Sequence, residues 1–322
     1  MMLNNIQVLR GFAALNVVYF HVIIISKSYN QPVEFFAFLA GWGANGVDVF
    51  FVISGFVMVY SQSVREKTPL SFIVNRTLRI VPIYWFLTIC LLLLYLLFPS
   101  NFRQLKLSMA DTIFSFLFLS GASGNEFPVL YVGWTLEYEM LFYILFCAGI
   151  FIKRKHASIF FPASILGLLT TMGLIELMAL EFVFGMLCAK IYLSSVLKRL
   201  ALPALFLAIS WFITTIFFEF DIDRLFLYGV PSLFLVFALV HINQCKNTLL
   251  SFIGDASYSI YLVQVFTIPI FYKKTSDVIP AFNADVLSIL ALIFSGGIGC
   301  LVYILIEKPM IHYLKGKTIF RA

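Results

Sequence analysis

The stretch Ile6-Gln7-Val8-Leu9-Arg10-Gly11-Phe12-Ala13-Ala14-Leu15-Asn16-Val17-Val18-Tyr19-Phe20-His21-Val22-Ile23-Ile24-Ile25 decides the fold class. Its twenty residues, at about 1.5 Å of helical rise each, make about 30 Å, the depth of a bilayer's hydrocarbon core. One full charge, Arg10, and one imidazole, His21, interrupt a largely apolar run, and no small-residue cleavage site follows. The segment therefore reads as a retained transmembrane helix and not as a removable leader.

The same pattern recurs along the chain. Apolar runs at 6–26, 44–62, 78–98, 133–152, 157–174, 176–193, 200–218, 225–244, 252–272 and 285–306 make ten expected spans. A further run, Thr112 to Leu119, is too short to cross and follows Asp111, so it reads as a re-entrant or interfacial helix. Composition agrees: 61% of the residues are hydrophobic and 12% charged, with a mean hydropathy of +0.98, against about 45–50% and 25% in a soluble domain. The expectation is an all-α integral membrane protein, a single bundle of about ten transmembrane helices, with residues 1–322 as one domain.

Charge sets the orientation. With both termini cytoplasmic, fifteen of the 22 lysines and arginines fall in inner loops, Lys153-Arg154-Lys155 among them, six fall outside, and Arg10 lies within the first span. Counting 112–119 as a span reverses that bias for the Lys153 loop, so it is not counted. The net charge of +6 is explained by topology and implies no nucleic acid. Five cysteines stand singly in apolar runs with no C-x-x-C pair or spaced histidines, so no metal site is expected.

Ionisable groups at membrane depth cost about 2.5 kcal/mol or more each and point to function. Arg10 and His21 are eleven residues apart; at about 100° per residue they return to within about 20° of one face, separated by about 16 Å along the axis. They read equally as a functional pair and as a snorkelling arginine beside a buried structural histidine. The second span opens Gly41-Trp42-Gly43-Ala44-Asn45-Gly46-Val47-Asp48 and continues Phe50-Phe51-Val52-Ile53-Ser54-Gly55-Phe56. Its glycines read first as packing notches, with Asp48 as a helix cap. Glu139, about 10 Å inside the fourth span, reads as facing a wet cavity or a basic partner, and Glu181 as either a site residue or a structural partner. Arg76 and Arg79, three apart, are spaced to grip phosphate and equally suit positive-inside anchoring.

Together these segments resemble the acyltransferase-3 family of membrane O-acyltransferases, in particular the branch that acetylates exopolysaccharide and O-antigen sugars. Leu9-Arg10-Gly11-Phe12-Ala13-Ala14 with His21 is similar to the family's Arg-x10-His helix. Gly46 to Phe56 resembles its glycine-bracketed second helix, Asn75-Arg76-Thr77-Leu78-Arg79-Ile80-Val81-Pro82 its arginine motif, and Trp134-Thr135-Leu136-Glu137-Tyr138-Glu139 with Phe142-Tyr143 its Trp-Ser/Thr-Leu-x-x-Glu motif. Phe184-Gly185, Ser257-Tyr258-Ser259-Ile260-Tyr261-Leu262 and Glu307-Lys308-Pro309 also fit. Where the family often has a histidine after Tyr261-Leu262-Val263, this chain has Gln264. Fifteen residues follow Glu307, so the periplasmic esterase-like domain fused to many members is not expected.

The resemblance implies transfer of an acyl group, usually acetyl from acetyl-CoA as co-substrate with no tightly bound cofactor, to a saccharide hydroxyl in the bacterial cytoplasmic membrane. His21, the one imidazole in a span's interior, is then the general base or transient acyl acceptor. Arg10, Arg76 and Arg79 meet the CoA phosphates. Asp48 and Glu139 orient the imidazole or bind sugar hydroxyls, and Ser54, Trp134, Tyr143 and Glu307 complete the substrate set. A secondary transporter of an anionic solute is the alternative; its internal repeats and paired broken helices are not evident. A membrane scaffold needs no aligned Arg and His.

Overall fold

The computed structural model describes residues 3–99, 107–154, 156–278 and 282–319, and within these it is helical with no strand. Thirteen α-helices follow in order among the described residues: α1 Asn4–Lys27, α2 Asn45–Val64, α3 Pro69–Leu97, α4 Met109–Phe116, α5 Trp134–Phe151, α6 Ala157–Thr171, α7 Glu181–Ser194, α8 Ala201–Phe217, α9 Val230–His241, α10 Thr248–Asp255, α11 Ser257–Val278, α12 Ala284–Val302 and α13 Lys308–Ile319. Of the loop charges used for orientation, Arg103, Lys106, Lys155 and Arg321 lie outside the described residues.

Each of the ten expected spans is helical, but they differ in length and continuity. Seven meet the length and apolarity of a span: Asn4–Lys27, Trp42–Val64, Pro69–Leu97, Tyr131–Phe151, Leu177–Ser194, Lys198–Phe217 and Ala284–Gly316. An eighth is broken, with α10 and α11 bent by 64° at Ala256. Ala157–Thr171 and Leu225–His241 are shorter apolar helices.

Two boundaries moved for identifiable reasons. The third helix starts at Pro69, nine residues before the expected 78, because the Thr68 side chain accepts the Ser71 N–H and proline occupies the first turn. Arg76 and Arg79 therefore project from a continuous helix and not from its start. The run at 112–119 is α4, an eight-residue helix closed by a Ser108/Asp111 capping box; at about 12 Å it cannot cross.

The core is organised by α2, which touches α1 and α7 at distances only glycine allows. A Cβ on Gly46 would lie 2.4 Å from the Ala13 carbonyl oxygen; one on Gly55 would lie 2.0 Å from that of Phe182, and one on Gly185 2.0 Å from that of Val52. The packing notches read from the sequence are thus backbone-to-backbone contacts between helices. On the other side of α1, Gly254 of α10 meets the Gln7 carbonyl oxygen, at 1.9 Å from an added Cβ. Stacked rings of Phe51, Phe182 and Phe142, with centroids 4.5 Å apart, join α2, α7 and α5. The outer helices are different: α8 turns Leu202, Phe206 and Phe217 outward at 59%, 70% and 70% exposure, as a lipid-facing surface requires.

Gly185→Ala is expected to abolish the folded monomer, since the added methyl meets backbone that cannot yield. Gly167→Ala on α6, where nothing lies within 4 Å of the added carbon, should stabilise by about 0.5–1 kcal/mol through helix propensity. Folded yield and thermal midpoint in detergent, read by size exclusion, compare the two.

Candidate active site

Five helices line a partly open cavity. Arg10 comes from α1, Ser54 from α2, Arg76 and Arg79 from α3, Glu139 and Tyr143 from α5, and Ser257, Tyr258 and Tyr261 from α11. A second cavity shares Val57, Arg76 and Arg79 with it and adds Leu3, Tyr60, Arg65 and Lys67. The two form a vestibule and an inner chamber that meet at the α3 arginines.

The inner chamber carries positive charge held by a fixed frame. Arg10 is 8% exposed and donates from Nη1 to Gln7 Oε1 at 3.0 Å. Gln7 in turn donates to Asp255 at the break between α10 and α11. Arg76, also 8% exposed, stacks over the rings of Phe72 and Tyr143 at 5.7 and 5.9 Å, and its Nε has no hydrogen-bond partner. Glu139 accepts from Ser54 Oγ at 3.0 Å and from the Tyr143 hydroxyl. Glu307 lies within a π-turn at Tyr303–Glu307, accepts from Ser259 Oγ at 2.5 Å, and is within electrostatic reach of Arg79 and Arg10. Three guanidiniums thus face two carboxylates, and both carboxylates already accept hydrogen bonds from hydroxyls.

At the vestibule the imbalance grows. Gln62 clamps the Lys67 backbone, accepting its N–H at 3.3 Å and donating to its carbonyl at 3.0 Å. Burial, then the charges of Arg76, Arg65 and Lys315, push the Lys67 ammonium below its ordinary range. An anion seated among these cations reverses the repulsive part of that shift.

His21 lies beyond the inner chamber. Its Nδ1 is 2.9 Å from the Val17 carbonyl oxygen. A carbonyl only accepts, so Nδ1 carries the proton in the neutral ring and Nε2 keeps its lone pair. The ring meets Tyr131 at 5.3 Å between centroids and the Gln264 side chain. Thr135 and Tyr261 line the chamber and hydrogen-bond each other at 2.9 Å, and the Tyr261 hydroxyl also reaches the carbonyl of Val132, next in sequence to Tyr131, at 2.7 Å.

Residues 3–307 match the description "Acyltransferase domain". The chain belongs to the acyltransferase-3 family. "Exopolysaccharide production protein ExoZ" of Rhizobium meliloti (strain 1021) is 32% identical over 303 residues, covering 86% of this chain and 92% of that relative. No solved structure matches.

In this acyltransferase-3 chain the structure brings together Arg10, Ser54, Arg76, Arg79, Glu139 and Tyr143, with Glu307 behind them. It does not bring in the others. Trp134 packs edge-on against Tyr138, one turn along α5, away from the chamber lining. Asp48 is not at the imidazole: its carboxylate is held in a fork by Arg224, at 2.9 Å from Nε and 2.8 Å from Nη2, and Arg224 also donates to the Ala44 carbonyl. Glu181 sits against the same pair. The sequence offers Asp48 as an orienting or sugar-binding acid; the structure places it in an ion pair that ties α2 to the segment that opens α9. Arg224 is 176 residues away in sequence, too far for any local pattern to point to the pairing. Gln7, Ser257, Tyr258 and Tyr261 were not singled out as site residues because singly they read as ordinary polar positions on apolar helices.

Asp48→Ala should cost about 3 kcal/mol of stability, the lower end for breaking a buried pair, because Arg224 keeps partial access to water. Ser54→Ala should cost under about 1.5 kcal/mol while lowering turnover. Thermal midpoints beside turnover separate the structural acid from the site hydroxyl.

Proposed function

We propose that this chain transfers an acyl group, acetyl by preference, from acyl-CoA to a sugar hydroxyl of an exopolysaccharide or its lipid-linked precursor, in the bacterial cytoplasmic membrane. One observation carries the reading: three guanidiniums, two of them nine-tenths buried, line an inner chamber with too few carboxylates to balance them, and the two from α3 also line a basic vestibule beside it. Such a site lacks anionic charge, and a phosphorylated donor supplies it. Family membership supports acyl transfer, and the relative's description supports an exopolysaccharide setting.

The residues divide the work. Arg65 and Lys67 at the vestibule and Arg76 and Arg79 at the junction hold the phosphates, and Tyr60 offers a ring for stacking. The thioester then lies along the chamber past Arg10, Glu139 and Tyr143 toward Tyr261. The Nε2 lone pair of His21 takes the proton of the acceptor hydroxyl as its oxygen attacks the thioester carbon. The carbon–sulfur bond breaks, and the imidazolium returns the proton to the departing CoA sulfur. The products are the O-acyl sugar and free CoA. No tightly bound cofactor enters this scheme. We further assign ten crossings to the single domain, counting the bent α10–α11 pair and the two short helices, with both termini cytoplasmic so that vestibule and donor share one side.

Arg76→Gln and Arg79→Gln are expected to raise the KM for acetyl-CoA about tenfold or more with kcat changed less, because a phosphate contact is made in ground and transition states alike. His21→Gln should lower kcat by about 10²–10⁴ with donor binding kept. Steady-state thiol release and displacement binding of a CoA analogue decide it. An unchanged donor KM in both arginine variants sinks the donor assignment; retained turnover in His21→Gln sinks the base.

For orientation, single cysteines placed at Lys153 and at Lys274 should label from the cytoplasmic and the outer side respectively. Outside labelling at 153 overturns the topology.

A further inference from the structure

Gln264 is fully buried, and its amide is oriented by a bond that permits one reading only. Its Nε2 donates to the Tyr261 carbonyl at 2.7 Å, and a carbonyl cannot donate in return, so Oε1 is the free end. That oxygen has no hydrogen-bond donor. A buried amide oxygen without a donor calls for an explanation, and the ring it lies against is His21.

The imidazole's surroundings sharpen the question. From α1 itself it has the Val17 carbonyl and the Phe20 ring, from the 131–133 turn the Tyr131 ring, and from α11 Gln264. Tyr131 is the one titratable group among these, and no charged side chain acts on the ring among the described residues. A neutral imidazole with its proton on Nδ1 gives Oε1 nothing to accept. An imidazolium does, because the second proton arrives on Nε2.

Resting on the reading of His21 as general base, we propose that Gln264 is a positioning residue that stabilises protonated His21, its Oε1 accepting from the ring once the acceptor's proton has been taken up. The negative end of a fixed amide dipole then shares the Nε2 proton with the acceptor side of the site, while the Val17 carbonyl holds Nδ1–H, the nitrogen that a carboxylate holds in hydrolytic triads. The step consumes nothing: the proton that Oε1 helps to hold goes on to the CoA sulfur.

The test uses the full chain in proteoliposomes, with acetyl-CoA as donor, water or added polysaccharide as acceptor, and thiol release followed across about pH 5 to 9. Gln264→Met keeps the volume and removes the oxygen. Its kcat should fall about ten- to hundredfold, the loss of one charge-assisted hydrogen bond, with the donor KM unchanged. Because the base becomes weaker, the acid limb of the pH profile should move to lower pH. Gln264→Glu keeps an oxygen and adds charge, so the acid limb should move to higher pH. A Met variant with wild-type rate and acid limb overturns the proposal, as does a rate that falls with folded yield while the limb stays in place. If His21→Gln is inactive and Gln264→Met is not, only this inference fails; if His21→Gln remains active, the base assignment fails and takes it along.

Discussion

Holding three guanidiniums at one end of a hydrocarbon-embedded bundle is the constraint on which the rest of the structure depends. A charge removed from water at that depth must be paired, hydrogen-bonded or awaiting a ligand. Here each arginine is held differently. Arg10 is buttressed through Gln7 to Asp255, Arg76 lies on two aromatic faces, and Arg79 stands where the two cavities join. The frame that keeps them apart from one another is backbone: α1 against α10 at Gly254, and α2 against α1 and α7 at Gly46, Gly55 and Gly185. Electrostatic strain at the site and glycine contacts in the core belong to one arrangement, since helices free to slide would let the guanidiniums relax outward to water.

The same arrangement separates two polar clusters that a linear reading merges. The arginine chamber draws on α1, α2, α3, α5 and α11. The Asp48–Arg224 pair, with Glu181 beside it, draws on α2, α7 and the turn leading into α9. On α2, Asp48 and Ser54 are six residues apart, which at about 100° per residue places them on well-separated faces. One helix thus carries a fastening on one side and a chamber wall on the other.

Much of this was legible because periodicity and charge survive in one dimension. Each apolar run became a helix, and Arg10, Arg76, Arg79 and Glu139 drew notice as charges where charge is costly. What stayed hidden depended on the third dimension. The start of α3 was misplaced because Asn75, Arg76 and Arg79 look like loop residues until the Thr68 cap and Pro69 are seen to begin a helix below them. The partner of Asp48 lies far along the chain. Tyr261, Thr135 and Gln264 acquire meaning only when α11 is laid beside the 131–133 turn, so that two hydroxyls close the chamber and an amide reaches an imidazole.

The glycine contacts also bear on how such a chain diversifies. Where a methyl group would overlap a carbonyl oxygen at 2.0 Å, no single exchange is accommodated by a neighbour's adjustment, so these positions are closed to drift while α8, with its side chains in lipid, is open to it. Change in what the cavities hold must therefore come through the side chains that line them, or the helices that lean on them from outside, and leave the α1–α2–α7 spine in place. Change in this fold is then channelled: permitted in what is presented to bilayer and cavity, and barred where one backbone rests directly on another.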